Sequence, residues 1–363
     1  MLRVVPSGEL LPALAAALDG GPAVVPEVSP EVLAALRPDE PLEHDDVALV
    51  VPTSGSSGEP KGVLLTADNL RSSALATADR IGGSGQWLLA IPPTHVGGLQ
   101  VLVRSLLAGT TPVVLPPGPF EAAAFSRATA RLSGPRRYVS LVPTQLRRLL
   151  TDDGLDALRA YDAVLLGGAA APATLLDRVL EAGVRVVTTY GMSETSGGCV
   201  YDGVPLDGVR VSVRHGRVRL AGPVVARGYR LRPDLTAEAF DGAVFTTSDL
   251  GRVDGGVLTV LGRADDVVVS GGENVAPLAV EAALERHPGV VEAAVTGVPD
   301  EQWGSRVVAL VVLRAPLTLA EARDHVAVTL PRSWAPRELR EVEALPLLAS
   351  GKVDRAALRL RVT

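Results

Sequence analysis

Short apolar runs alternate with helix-spaced segments over most of the first 190 residues, and that alternation limits the architectures open to the chain. Val47–Val51, Trp87–Ile91, Thr111–Leu115, Tyr138–Leu141, Asp162–Leu166 and Arg185–Thr189 read as buried strands. Between them, Ala67–Arg80, Gly98–Ala108, Glu121–Leu132, Pro143–Leu150 and Pro172–Ala182 place apolar residues at helical spacing. Strand and helix in turn predict an α/β domain with mainly parallel strands. Such sheets bind ligands in the loops beyond the carboxyl ends of their strands.

The pattern changes near Val209. From there to Leu261, short alternating strands with glycine turns (Val209–Val213, Val218–Leu220, Val257–Leu261) predict a small β subdomain. After Gly262-Arg263-Ala264-Asp265-Asp266 an α+β pattern begins afresh. It runs through strand Val267–Ser270, helix Pro277–Arg286, strands Val290–Val298 and Arg306–Leu313, helix Leu319–Leu330 and a tail ending in Lys352. The expected division is residues 1–264 and 265–363. No Pro/Ser-rich linker separates them, so any motion would pivot on one or two residues.

At 363 residues, 47% hydrophobic and 21% charged, the chain can bury a sizeable core, and with 3% aromatics that core must be mostly Val, Leu and Ala. A net charge of −6 gives no electrostatic footprint for nucleic acid. Arg210, Arg214, Arg217 and Arg219 fall in strand alternation and read as a solvated strand face. The single cysteine, Cys199, excludes an internal disulfide and a multi-cysteine metal site. The N-terminus lacks the long apolar region of a signal peptide, and no apolar stretch reaches membrane-spanning length. A soluble cytoplasmic protein is expected.

Of the 35 lysines and arginines only Lys61 and Lys352 are lysine, and each is followed by a small-residue turn or preceded by one: Ser-Gly-Ser-Ser-Gly-Glu-Pro-Lys61-Gly and Ala-Ser-Gly-Lys352-Val-Asp-Arg. Arginine is a planar fork, whereas lysine is a point charge on a flexible stem that can follow a moving negative charge. Thr53-Ser54-Gly55-Ser56-Ser57-Gly58-Glu59-Pro60-Lys61-Gly62 follows a strand. Its glycines free backbone N–H groups to converge on an anion, and four hydroxyls and an ammonium add donors. It is a phosphate cradle by chemistry. It departs from G-x-x-x-x-G-K-[ST], which needs Gly at Pro60 and a hydroxyl at Gly62, so a kinase-like NTPase is disfavoured.

This loop resembles the signature of the adenylate-forming superfamily of acyl- and aryl-CoA synthetases, luciferases and nonribosomal adenylation domains. Further motifs follow in the family's order: Tyr190-Gly191-Met192-Ser193-Glu194-Thr195, Thr247-Ser248-Asp249-Leu250-Gly251, Gly262-Arg263-Ala264-Asp265-Asp266, Ser270-Gly271-Gly272-Glu273-Asn274 and Ser350-Gly351-Lys352. The resemblance implies a large ATP- and acid-binding domain followed by a small mobile lid domain. It implies that Thr53, Ser54, Gly55, Ser56, Ser57, Gly58 and Lys61 cradle the phosphates of ATP, and that Glu194 holds Mg2+. Gly168, Ala169, Tyr190, Gly191 and Ser193 would flank the adenylate, Asp249 and Arg263 the ribose. Lys352 would bridge the acid carboxylate and the α-phosphate. Asp265 would be the hinge, about which the lid rotates to bring Gly271, Gly272 and Glu273 to the tunnel for CoA.

The acid pocket is less constrained. Pro92-Pro93-Thr94-His95-Val96-Gly97-Gly98 ends a strand and opens a helix, and His95 resembles the family residue guarding the acyl pocket, with Gly191 and Ser193 beside it. The run from Tyr190 to Gly208 resembles that of the o-succinylbenzoate–CoA ligases of menaquinone biosynthesis, nearest the compact actinobacterial form. That acid has two carboxylates, and Arg104, in an otherwise apolar helix, is the candidate for the one that does not react. The expected reaction joins o-succinylbenzoate to CoA, with release of AMP and pyrophosphate. Another acid, a carrier-protein thiol, or a non-catalytic nucleotide-binding role are the alternatives. Only fifty-two residues precede the phosphate loop, fewer than is common in the family. A pocket wall or subunit interface is therefore expected to be reduced, and a homodimer is one way to supply it.

Overall fold

The computed structural model describes residues 2–54, 60–347 and 353–362. At its centre the strands Gln86–Leu89, Val113–Val114, Arg137–Leu141, Ala163–Leu166 and Val186–Met192 run parallel, with helical segments between consecutive strands. Gly197–Tyr201 and Val204–Pro205 extend this sheet in antiparallel fashion to seven strands. Because the five strands are parallel, the loops that follow them leave one common edge.

A five-stranded sheet lies beside it. Its parallel part is Arg3–Val5, Val24–Pro26 and Val47–Ser54, and its antiparallel part adds Pro60–Thr66 and Gly228–Tyr229. The helices Leu10–Leu18, Ala67–Ile81 and Val96–Leu107 share one hydrophobic core with both sheets. Ala67–Ile81 starts at a capping box, in which Thr66 Oγ1 accepts from Asn69 N and Asn69 Oδ1 accepts from Thr66 N. It stops at Gly82, whose φ of +105° suits only glycine. A third sheet joins Arg210–Arg214, Arg217–Ala221, Phe240–Asp241, Val244–Asp254 and Val257–Arg263.

The α/β reading of the sequence holds, with differences that include the unexpected elements Gly197–Tyr201, Pro233–Ala239, Glu338–Glu341 and Arg355–Val362. The first 46 residues, left without elements, form two strands and two helices that complete the second sheet. The expected helix Pro143–Leu150 ends at Arg148, and a further helix, Asp152–Arg159, follows it, capped by Thr151, whose Oγ1 accepts from Gly154 N. The eleven-residue strand Val244–Asp254 was missed: Thr246-Thr247-Ser248-Asp249 interrupts its apolar alternation.

Two further core clusters draw only on residues beyond 267. One surrounds Val268, Val275, Val280, Val295 and Val326; the other packs Leu358 and Val362 of the terminal helix against Ala294, Val308 and Leu310. The elements there are the hairpin Val268–Ser270 with Glu273–Val275, the helices Pro277–Glu285, Leu319–Ala327 and Arg355–Val362, and the sheet Val290–Asp300, Gly304–Leu313 and Glu338–Glu341. Arg147, on Pro143–Arg148, pairs with Glu292 across to this part of the chain. No helix among the described residues is long and apolar enough to cross a membrane.

Candidate active site

On the phosphate side, Thr53 pairs with Lys61 across the hairpin, and Thr53 Oγ1 donates to the Lys61 carbonyl at 3.4 Å. Gly62 admits no side chain: a Cβ there would stand 2.6 Å from Leu36 and 2.8 Å from Val50. Its place in the sequence motif is thus enforced by packing. The Lys61 Nζ lies over the Tyr229 ring, 4.6 Å from its centroid. Tyr229 in turn donates from its hydroxyl to Glu194 Oε1 at 2.8 Å. Burial first, then the Glu194 charge, pushes the Tyr229 pKa well up, so the phenol keeps its proton and remains a donor.

A second tyrosine–carboxylate contact joins the central sheet to the third. Tyr190 donates to Asp249 Oδ2 at 2.7 Å, and the Tyr190 pKa is pushed up by burial and by that carboxylate. Asp249 sits opposite Arg263 in the ladder, with Oδ1 3.8 Å from Arg263 Nη1. Arg263 also reaches Asp265 at 3.4 Å, in the turn Ala264–Asp266. The Asp249 backbone is held by Thr247 Oγ1, which accepts from its N–H at 2.9 Å. Gly168 and Ala169 follow the strand Ala163–Leu166 and are exposed, Gly168 at a φ of +80°.

The turn between the two tyrosine partners is glycine-dependent. A Cβ on Gly191 would lie 2.1 Å from the Gly197 carbonyl, so no other residue fits. Ser193–Thr195 form a single 3-10 turn, and Thr195 Oγ1 ties it shut by donating to the Gly197 carbonyl and accepting from Met192 N. Ser196 then takes a left-handed φ of +55° and donates from its hydroxyl to the Val224 carbonyl. His95 stands exposed at the N-cap of Val96–Leu107, its Nδ1 3.0 Å from Thr94 Oγ1. Gly98 lets the helix start against the Ile91 and Pro92 carbonyls, which a Cβ would approach to 2.5 and 2.4 Å.

A family model described as AMP-binding enzyme matches residues 7–230, and one described as AMP-binding enzyme C-terminal domain matches residues 279–352. The chain belongs to the AMP-binding, adenylate-forming enzymes. A Mycobacterium tuberculosis protein named a probable 2-succinylbenzoate–CoA ligase is 52% identical over 98% of this AMP-binding enzyme and 96% of its own length. A Geobacillus 2-succinylbenzoate–CoA ligase is 34% identical over 87% of this chain and 69% of its own. The structure of o-succinylbenzoate CoA synthetase (MenE) from Bacillus subtilis in complex with the acyl-adenylate OSB-AMP superposes with a TM-score of 0.75 at 28% identity, covering 99% of this chain and 83% of the other. The same synthetase in complex with ATP and magnesium gives 0.78 at 27% identity, covering 98% and 88%.

Within this AMP-binding enzyme the structure links Thr53, Lys61 and Glu194 through Tyr229, and in a second set Tyr190, Asp249 and Arg263. It does not bring Arg104 to them. Helical rise places Arg104 about 13 Å along the helix from His95. Its guanidinium, 8% exposed, instead donates to Thr77 Oγ1 at 3.3 Å and Tyr201 OH at 3.5 Å and lies 4.9 Å from the Trp87 ring centroid. Gly271, Gly272 and Glu273 form the tip of the C-terminal hairpin, where Gly271 N donates to the Trp303 carbonyl and Glu273 is exposed. Gly55, Ser56, Ser57, Gly58 and Lys352 lie outside the described residues. Ser54 ends its strand opposite Pro60.

Sequence reasoning missed Tyr229, which touches both Lys61 and Glu194 in this AMP-binding enzyme. A signal existed: it is one of only five tyrosines, and it follows Gly228.

Proposed function

We propose that the protein is an ATP-dependent acid–thiol ligase that joins o-succinylbenzoate to CoA through an acyl-adenylate, releasing pyrophosphate and then AMP. The observation that carries this reading is the 52% identity, over nearly all of both chains, with the Mycobacterium tuberculosis protein named for that ligase. The naming of the Bacillus subtilis synthetase seen with OSB-AMP supports the acyl-adenylate route, and menaquinone synthesis as the setting.

Attack of a carboxylate on the α-phosphate of ATP concentrates negative charge, and fixed donors lower the barrier when they already point at that charge. In this reading Lys61 and the Thr53–Gly58 segment hold the departing phosphates, and Tyr229 keeps Lys61 and Glu194 at a set spacing. Glu194 suits Mg2+: one oxygen is fixed by Tyr229, and the carboxylate is a hard ligand. No group of three or more His, Cys, Asp or Glu side chains among the described residues could hold a metal by itself, which fits an ion shared between one carboxylate and substrate phosphates. When bound, Mg2+ offsets phosphate charge as pyrophosphate departs. Asp249, aligned by Tyr190 and Arg263, accepts from the ribose hydroxyls, while Gly168 and Ala169 border the adenine. His95, Gly191 and Ser193 line the acid.

The second half-reaction assigns residues 265–363 to a lid pivoting at Asp265, with Lys352 engaged for adenylation and Gly271, Gly272 and Glu273 lining the CoA path afterwards. A cytoplasmic protein, with a homodimer as one assembly, accords with this reading. The test is acid-dependent pyrophosphate release with o-succinylbenzoate beside benzoate, fatty acids and amino acids, followed by thioester formation with CoA or a phosphopantetheinyl carrier. Release with o-succinylbenzoate and transfer to CoA are expected. Release with a different acid alone overturns the substrate, and release with none overturns the enzyme.

A further inference from the structure

Arg230 is an ion enclosed by protein. The residue is 3% exposed and its side chain not at all. All of its guanidinium N–H groups find partners in one short stretch of chain, residues 36–43. Nε donates to the Leu36 carbonyl at 2.7 Å, and Nη2 to the carbonyls of Arg37 at 2.7 Å and Glu40 at 2.8 Å. Nη1 donates to the Pro41 carbonyl and to Glu43 Oε2, both at 3.0 Å. A guanidinium offers about five donors in a rigid fork, so none is left over for a substrate. Such a buried, paired ion is weak evidence for stability, because an apolar side chain of similar volume commonly serves as well. What the fork supplies is direction, since bonds to so many fixed oxygens admit a single position.

The position it fixes is on the phosphate side of the site. Arg230 follows Tyr229, whose hydroxyl holds Glu194 and whose ring carries Lys61. Its backbone N donates to the Gly62 carbonyl at 2.7 Å, one residue from Lys61. A Cβ on Gly62 would stand 3.2 Å from the Arg230 Cβ and 2.6 Å from Leu36, so bare backbone at Gly62 lets the arginine stem pass beside the hairpin to residues 36–43. Glu43 closes the arrangement: Oε2 takes Arg230, and Oε1 accepts from Leu231 N, where the chain bends at a φ of +53°. On the other flank Tyr229 N donates to Thr236 Oγ1 at 2.9 Å. Tyr229 is held from both sides along the chain.

We infer that Arg230, gripped by Glu43, is a positioning residue for the first half-reaction: it seats Tyr229 against the hairpin and so sets the spacing of Lys61 and Glu194 at the phosphates of ATP. This rests on the roles proposed above for Lys61 and Glu194. Arg230 acts through Tyr229 and touches no substrate.

The test uses Arg230→Met, Arg230→Lys and Glu43→Gln, alone and combined with Tyr229→Phe, well below each variant's melting temperature. Equilibrium binding of ATP with Mg2+ is measured without acid, beside ATP–pyrophosphate exchange and thioester formation from supplied acyl-adenylate. Arg230→Met should weaken ATP binding and lower kcat/KM for ATP in exchange about ten- to a hundredfold, the range reached when a site shifts by up to about 1 Å. Thioester formation, which uses no pyrophosphate, should change less than about twofold, the scatter of independent sites. Arg230→Lys keeps the charge without the fork and should recover only part of the loss. Tyr229→Phe should add less than about twofold on top of Arg230→Met, because both act on one contact. Proportionate loss in both half-reactions, unchanged ATP binding, or full additivity with Tyr229→Phe overturns the assignment. If Arg230→Met does not fold, Glu43→Gln gives up one of two acceptors and carries the same comparison, with a loss of about threefold expected. Failure of the underlying roles is read separately: Lys61→Met and Glu194→Gln would then leave ATP binding and exchange as in wild type.

Discussion

The Tyr229 hydroxyl donates to Glu194 Oε1 at 2.8 Å while the same ring carries the Lys61 ammonium 4.6 Å from its centroid. Since Tyr229 belongs to the five-stranded sheet and Glu194 follows the last parallel strand of the central one, this contact aligns the two sheets where phosphates are proposed to bind. Tyr229→Phe retains the ring beneath Lys61 and removes only the donor. Stability should fall by about 1 kcal/mol, the usual value of one hydrogen bond. The Mg2+ concentration giving half-maximal ATP–pyrophosphate exchange should rise severalfold. A Mg2+ titration of exchange checks this, and an unmoved midpoint would remove Tyr229 from orienting Glu194.

Lys352 and Lys61 should separate by half-reaction. Lys352→Ala is expected to abolish acyl-adenylate formation while supplied acyl-adenylate still reacts with CoA, because the proposed lid motion withdraws this side chain before the thiol enters. Rapid-quench assays of the two steps decide it; equal loss in both contradicts the lid assignment.

Asp249→Asn keeps the shape of the side chain but removes the charge that faces Tyr190 and Arg263. Hydrogen bonds to a charged group contribute about 1.5–3 kcal/mol, so ATP affinity should fall roughly 10- to 100-fold. Equilibrium binding of ATP without acid provides the measurement, and an unchanged affinity would take Asp249 out of the nucleotide site.

Glu285 gives a signed pH dependence. Burial, with the Glu281 charge adding to it, pushes its carboxyl from 4.5 up to about 7, against the Ala293 N–H and Arg147. Between those two values the folded state holds a proton that the unfolded chain has lost. Its contribution to stability is therefore full below about pH 4.5 and is lost as pH rises through about 7. Glu285→Gln should flatten the melting-temperature profile over that window and raise it at pH 8. A profile parallel to wild type would refute the shift.

Cys199 is fully buried, and burial pushes its thiol up to about 12. The native protein should resist aromatic disulfide reagents at pH 8 and react only as fast as it unfolds. Fast stoichiometric labelling without denaturant would contradict the burial.

The parallel sheet was legible in the sequence because strands buried on both faces leave continuous apolar runs such as Ala163–Leu166. Val244–Asp254 was not, since Thr246-Thr247-Ser248-Asp249 are polar and break the strand pattern. The motif residues Tyr190, Glu194, Asp249 and Arg263 were legible through the resemblance of their motifs to the family's, but their pairing was not: the hydroxyl of Tyr190 meets a residue 59 positions on.

The two tyrosine–carboxylate contacts also bear on synthesis. Glu194 must wait for Tyr229, and Tyr190 for Asp249 and Arg263, before any of them is held in place. A ribosome that has delivered only the central sheet has made a chain with its phosphate loop and its acidic turn already translated but unaligned. Nucleotide capture should accordingly arise late, as an abrupt gain once residue 263 has cleared the exit tunnel.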